Sequence, residues 1–81
     1  MRVKVKLYGH LRKFVAKLQE ANGNTGWVEL NDEATVMDIY TAIGLNFDEV
    51  MVVDINGKIV GKEAKLRTGD LVSFFPTVGG G

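Results

Sequence analysis

The chain has no cysteine, a single histidine and a single proline. Without thiols there is no disulfide framework, no thiolate zinc site and no cysteine nucleophile, which suits a reducing compartment. Only His10 can offer an imidazole, and the carboxylates show no ligand spacing, so no metal is expected. No apolar run approaches the roughly 20 residues of a membrane span. The opening Met1-Arg2-Val3-Lys4 alternates instead of building a signal-peptide core. A cytoplasmic, soluble protein without a membrane partner is expected. Net charge is missing as well, because ten basic residues balance ten acidic ones. That removes the global field by which a protein attracts nucleic acid. Nor is there a nucleophile and base pair. Asn22-Gly23-Asn24-Thr25-Gly26 is glycine-rich but lacks the spacing and following lysine of a phosphate loop. The chain is not expected to be an enzyme by itself.

What is present fits one small domain. Eighty-one residues leave no room for a second core. Arg2-Val3-Lys4-Val5-Lys6-Leu7 alternates strictly, which predicts a strand with Val3, Val5 and Leu7 inward. Tyr8-Gly9 turns the chain. Leu11, Phe14, Val15 and Leu18 then fall at helical spacing, with Arg12, Lys13 and Lys17 outside and His10 as a solvated first-turn residue. Asn22 to Gly26 reads as a loop and Trp27-Val28-Glu29-Leu30 as a strand. Thr35 and Asp38 resemble a capping box before the Val36, Ile39, Tyr40, Ile43 stripe, and Gly44 stops that helix. Val50 to Ile55 predicts a strand buried on nearly both faces. Asn56-Gly57 is a strong hairpin signal before Lys58-Ile59-Val60. Lys62 to Arg67 is polar connection anchored by Leu66. These elements predict an α+β domain, a mixed sheet of about four to five strands with its helices on one face.

The charges are ordered along the chain. Arg2, Lys4, Lys6, Arg12, Lys13 and Lys17 precede the first acid, Glu20, and every charge from there to Asp54 is negative. Lys58 to Arg67 is mostly basic again. If the two ends lie together, one face is basic and the opposite region acidic.

The chain is organised around its last stretch, Gly69 to Gly81. Gly69-Asp70 is turn chemistry, and Leu71-Val72-Ser73-Phe74-Phe75 favours a strand. Val72 and Phe74 form the uniformly apolar set, so Phe75 is expected on the outer face as an exposed aromatic. Pro76 lacks the N–H that a ladder needs, so the strand ends there. Residues 1–76 then form the domain. Thr77, Val78, Gly79, Gly80 and Gly81 form a flexible arm of at most roughly 17 Å. If the first strand lies beside the last, Lys4 and Lys6 flank Phe75. A partner groove is then expected to carry acids.

Tyr8-Gly9-His10-Leu11-Arg12, Glu33 to Ile39, Asn56-Gly57-Lys58, and Gly69 to Pro76 followed by terminal glycines together resemble the ubiquitin-like sulphur carriers. The molybdopterin synthase small subunit, MoaD, is the nearest branch and the thiamine carrier, ThiS, the next. The resemblance spans nearly the whole chain and implies a β-grasp fold. It implies that the Gly81 carboxylate, carried by the Gly80-Gly81 diglycine, is adenylated and then converted to a thiocarboxylate that donates sulphur. ATP is used by the activating partner, an adenylyltransferase like MoeB or ThiF, and the carrier itself holds no cofactor. The receiving partner would be a MoaE-like large subunit or a thiazole synthase. Bare glycine backbone can thread a channel where any Cβ would clash. The Val78-Gly79-Gly80-Gly81 ending resembles the thiamine branch, whereas the Leu11 to Leu18 segment and Phe74-Phe75-Pro76 resemble the molybdopterin branch. A protein modifier using the same tail, or a plain β-grasp interaction module, shares the fold.

Overall fold

Alternation over Arg2–Leu7 becomes the first strand, β1, with Val3, Val5 and Leu7 fully buried. The computed structural model describes residues 1–78. Among them the further strands are β2 (Gln19–Asn22), β3 (Thr25–Glu29), β4 (Val50–Ile55), β5 (Lys58–Val60) and β6 (Leu71–Pro76). They form one sheet in the order β2-β3-β1-β6-β4-β5. β1 and β6 run parallel at its centre, and the remaining pairs are antiparallel.

Helix α1 (Val36–Ile43) crosses the inner face and buries Val36, Ile39, Tyr40 and Ile43 in one core with Val3, Val5, Leu7, Val72 and Phe74. The capping box at Thr35 and Asp38 is present, with the Thr35 N–H donating to the Asp38 carboxylate at 2.8 Å. Gly44 ends the helix in the left-handed conformation, and Leu45 folds back into the core. The connection through Lys62 and Leu66 closes the N-terminus of α1. Its Lys62 and Ala64 carbonyls accept the Met37 and Val36 N–H groups, both at 3.0 Å, which a helix cannot satisfy internally. Asn56 and Gly57 both take positive φ in the β4–β5 hairpin, as that turn type requires.

Three expectations need correction. The segment after β1 is a 3₁₀ helix, Gly9–Lys17, and not an α-helix, and Leu11 is its one buried residue. With three residues per turn, Val15 rotates off the line that Leu11 and Phe14 share; both Phe14 and Val15 are half-buried. The sheet has a sixth strand, β2, whose four residues are all exposed. It pairs as an edge through its backbone, and Gln19-Glu20-Ala21-Asn22 carries no apolar alternation to reveal it. Thr25 and Gly26 therefore belong to β3 and not to a loop. Gly26 is required there, because a Cβ would lie 2.5 Å from the Leu18 Cβ that packs over it. In β4 only Val53 is buried, and Met51 is 57% exposed. Among the described residues no element covers the second face of β4.

The charge blocks are interleaved by the fold. Arg2 pairs with Glu20, Lys13 with Glu49 and Lys65 with Glu33.

Candidate functional site

Val72 and Phe74 take the core side of β6, each with no exposed surface, which turns Phe75 to the open face as expected. Leu7 lies opposite Phe74, so the next residue, Tyr8, comes beside Phe75. Their rings stack with centroids 4.5 Å apart and planes within 10°. Phe75 is therefore half-buried under a partner ring and not a free aromatic. The Lys6 ammonium lies 5.2 Å from the Tyr8 ring, a cation–π distance. Lys4 does not flank Phe75. It sits opposite Leu71 and turns to the Trp27 ring at 5.8 Å, which it shares with the Arg2 guanidinium at 4.7 Å. The open face thus carries two clusters of ring and cation, and only the Lys6, Tyr8, Phe75 cluster adjoins the end of β6.

Pro76 is the last residue of β6, opposite Val50. Gly9, at φ +56°, packs against it: a Cβ there would lie 2.8 Å from the Pro76 Cγ. A side chain at residue 9 would push the proline ring off the sheet end. One further bond follows, from the Thr77 N–H to the Glu49 carbonyl at 3.1 Å. Val78 is 76% exposed. Gly79, Gly80 and Gly81 lie outside the described residues, and with them the expected reacting carboxylate.

Glu49 ends a short 3₁₀ helix, Phe47–Glu49. Its carboxylate accepts from Asn46 Nδ2 at 2.7 Å, lies 3.2 Å from Lys13 Nζ and 3.6 Å from His10 Nε2. The Asn46 hydrogen bond and then the Lys13 contact hold this carboxyl below the usual glutamate range. His10 is half-exposed at the start of the first 3₁₀ helix and belongs to this charge cluster.

Tyr8, Lys13 and Glu49 belong to this region and Trp27 to the neighbouring cluster, and none of them stands out as a site residue in the sequence. Tyr8 shares the parity of Lys4 and Lys6, so the alternation of β1 continued one step would have placed it on the open face. Only the Asn46 contact, three residues away, is local to Glu49; its other partners come from two distant segments, His10 and Lys13 on one and Thr77 on the other.

A mixed sheet folded around one helix, with its first and last strands parallel at the centre and a chain end leaving beside an aromatic cluster, defines a ubiquitin-like β-grasp domain. The ThiS family model matches residues 5–81, and the chain belongs to that family. Solved structures agree on the fold. The chain is similar to a putative molybdopterin converting factor subunit 1 from Pyrococcus furiosus, with 26% identity, 96% of this chain and 99% of that one covered, and a TM-score of 0.72. It is also similar to the small archaeal modifier protein 1 of H. volcanii, with 22% identity, coverage of 95% and 98%, and a TM-score of 0.73. A third is a protein-protein complex of subunits 1 and 2 of molybdopterin-converting factor from Helicobacter pylori, with 18% identity, full coverage of both chains and a TM-score of 0.63.

Proposed function

We propose that this protein is a cytoplasmic sulphur carrier for molybdopterin synthesis, acting through the C-terminal carboxylate of Gly81. The observation that carries the reading is the end of β6, where a strand anchored by Phe74 and carrying Phe75 of the Lys6, Tyr8, Phe75 cluster hands the chain to an exposed Val78. In the proposed reaction a Gly81 carboxylate oxygen attacks the α-phosphorus of ATP in the activating enzyme, and pyrophosphate leaves. A sulphur nucleophile then displaces AMP from the acyl carbon, giving the thiocarboxylate. Activation is needed because a carboxylate oxygen is a poor leaving group until it carries the nucleotide. Phe75, Pro76, Thr77, Val78, Gly79 and Lys6 would contact the partners, and Lys4 would contribute from the neighbouring Trp27 cluster. A MoaE-like large subunit is the proposed acceptor of the carrier, in line with the H. pylori complex of subunits 1 and 2.

Intact mass of the protein from its native cell tests the chemistry: one terminal oxygen replaced by sulphur is expected, and its absence under sulphur-replete growth would count against the reading. A single residue appended after Gly81 is expected to abolish ATP–pyrophosphate exchange with the cognate activating enzyme while circular dichroism stays unchanged. Full activity of that variant would sink the role of the terminus. Thiamine-branch and modifier readings rest on the same family match and on the likeness to the archaeal modifier. Co-purification with a thiazole synthase, or lysine-linked conjugates in extract, would favour these.

A further inference from the structure

Glu49 reaches the root of the tail twice, once through its carbonyl and once through its carboxylate. The carbonyl accepts the Thr77 N–H, the last bond that ties the described chain to the sheet. Pro76, one residue earlier, has no N–H to give. The direction in which residue 78 leaves therefore depends on where that carbonyl points. The sheet alone holds it loosely, because β4 changes register against β6 between Val50 and Val52. Such a bulge interrupts the regular ladder. The core holds it only from one side: the 3₁₀ helix Phe47–Glu49 has no buried residue and meets the core through Phe47, whose ring centroid lies 4.6 Å from that of Tyr40, while the longer one, Gly9–Lys17, buries Leu11 and rests Phe14 and Val15 on the core's edge. What joins the two is the Glu49 carboxylate, between Asn46 on its own helix and Lys13 and His10 on the other. The longer 3₁₀ helix in turn begins at Gly9, against the Pro76 ring. Both sides of the tail root are thus clamped to one side chain.

We propose that Glu49 is a positioning residue for the tail, its carboxylate bracing the two 3₁₀ helices so that its carbonyl fixes the exit of Thr77 and Val78 toward the enzyme that activates the terminus. This rests on the sulphur-carrier reading for its consequence, though not for its structural content. Geometry matters here because an arm delivered about 1 Å out of line can cost a hundredfold in rate. Among the described residues the carboxylate contacts Asn46, Lys13 and His10, so its effect on the terminus would be indirect.

The test compares wild type, Glu49→Ala and the charge swap that combines Glu49→Lys with Lys13→Glu. Amide hydrogen exchange at Thr77 is read against Val72 in the core, together with kcat and KM for pyrophosphate exchange with the cognate activating enzyme. In Glu49→Ala, Thr77 exchange is expected to rise on the order of tenfold with Val72 unchanged, as for a local opening. kcat is expected to fall by a similar factor with KM nearly constant, since the Phe75 face is untouched, and the swap is expected to recover part of both. Thr77 exchange that does not change, or that rises together with Val72, would overturn the bracing role; a loosened Thr77 with unaltered kcat would overturn the positioning role. A wild type that no activating enzyme adenylates would instead remove the sulphur-carrier reading, and the exchange measurement would still decide whether Glu49 holds the root.

Discussion

Phe74 and Phe75 follow one another in the chain and meet opposite surroundings. The Phe74 ring is fully buried, edge-on to Tyr40 at 5.5 Å, while Phe75 lies on the open face under Tyr8. Phe74→Asp is expected to unfold the protein, because an unpaired buried charge costs several kcal/mol against a total stability of roughly 5. Phe75→Asp should leave a folded protein that binds its partner more weakly; thermal melts and a binding titration check the pair, and the reverse ranking would contradict this facing of β6. Glu49 supplies a pH prediction. Its folded pKa is lowered, by Asn46 first and Lys13 next. A carboxyl of this kind contributes stability above its unfolded pKa and loses it as pH falls through the folded value. The wild type is therefore expected to lose melting temperature more steeply than Glu49→Gln on acidification below the ordinary glutamate range. Parallel curves for the two proteins would contradict the assignment.

Among the elements, α1 is the one whose boundaries can be read from the residues, since its cap, stripe and stop are all local signals: Thr35 with Asp38, Val36 to Ile43, and Gly44. Thr35→Ala is expected to cost about 0.5–2 kcal/mol, the usual range for losing a side-chain cap, measured by urea unfolding. The segment Gly9–Lys17 has an apolar spacing that an α-helix and a 3₁₀ helix share in part. The spacing therefore does not choose between them, and the structure shows the 3₁₀ form. β2 left no pattern at all, because an edge strand exposed on both faces needs only backbone partners. Its place depends on Leu18 packing over Gly26, a contact between residues eight apart in a turn-rich stretch.

Across the whole molecule, the charge order along the chain does not become two separate faces. Arg2, Lys13 and Lys65 each find a carboxylate, while Lys4 and Lys6 make no ion pair among the described residues and lie over rings on the open face. If the proposed activating enzyme presents acids to these two cations, raising salt should slow association with it, as the Debye length shrinks from about 10 Å at 0.1 M to about 3 Å at 1 M. A rate constant independent of salt in stopped-flow measurements would remove that role, and Lys6→Ala is expected to reduce the slope more than any effect on folding. By itself the sequence determined the alternation of β1, the stripe and caps of α1, the Asn56-Gly57 hairpin and the inward set of β6, because each depends on periodicity or on a local dihedral preference. The family resemblance, too, lay in short motifs in order along the chain. Only the tertiary structure decided that Tyr8 stacks on Phe75, that Lys4 goes to Trp27 while Lys6 stays near the tail, and that Glu49 gathers Lys13, His10 and Thr77. Those are contacts between separate segments, fixed by strand register and by where the two 3₁₀ helices cross the end of the sheet, and no local pattern in the chain carries that information.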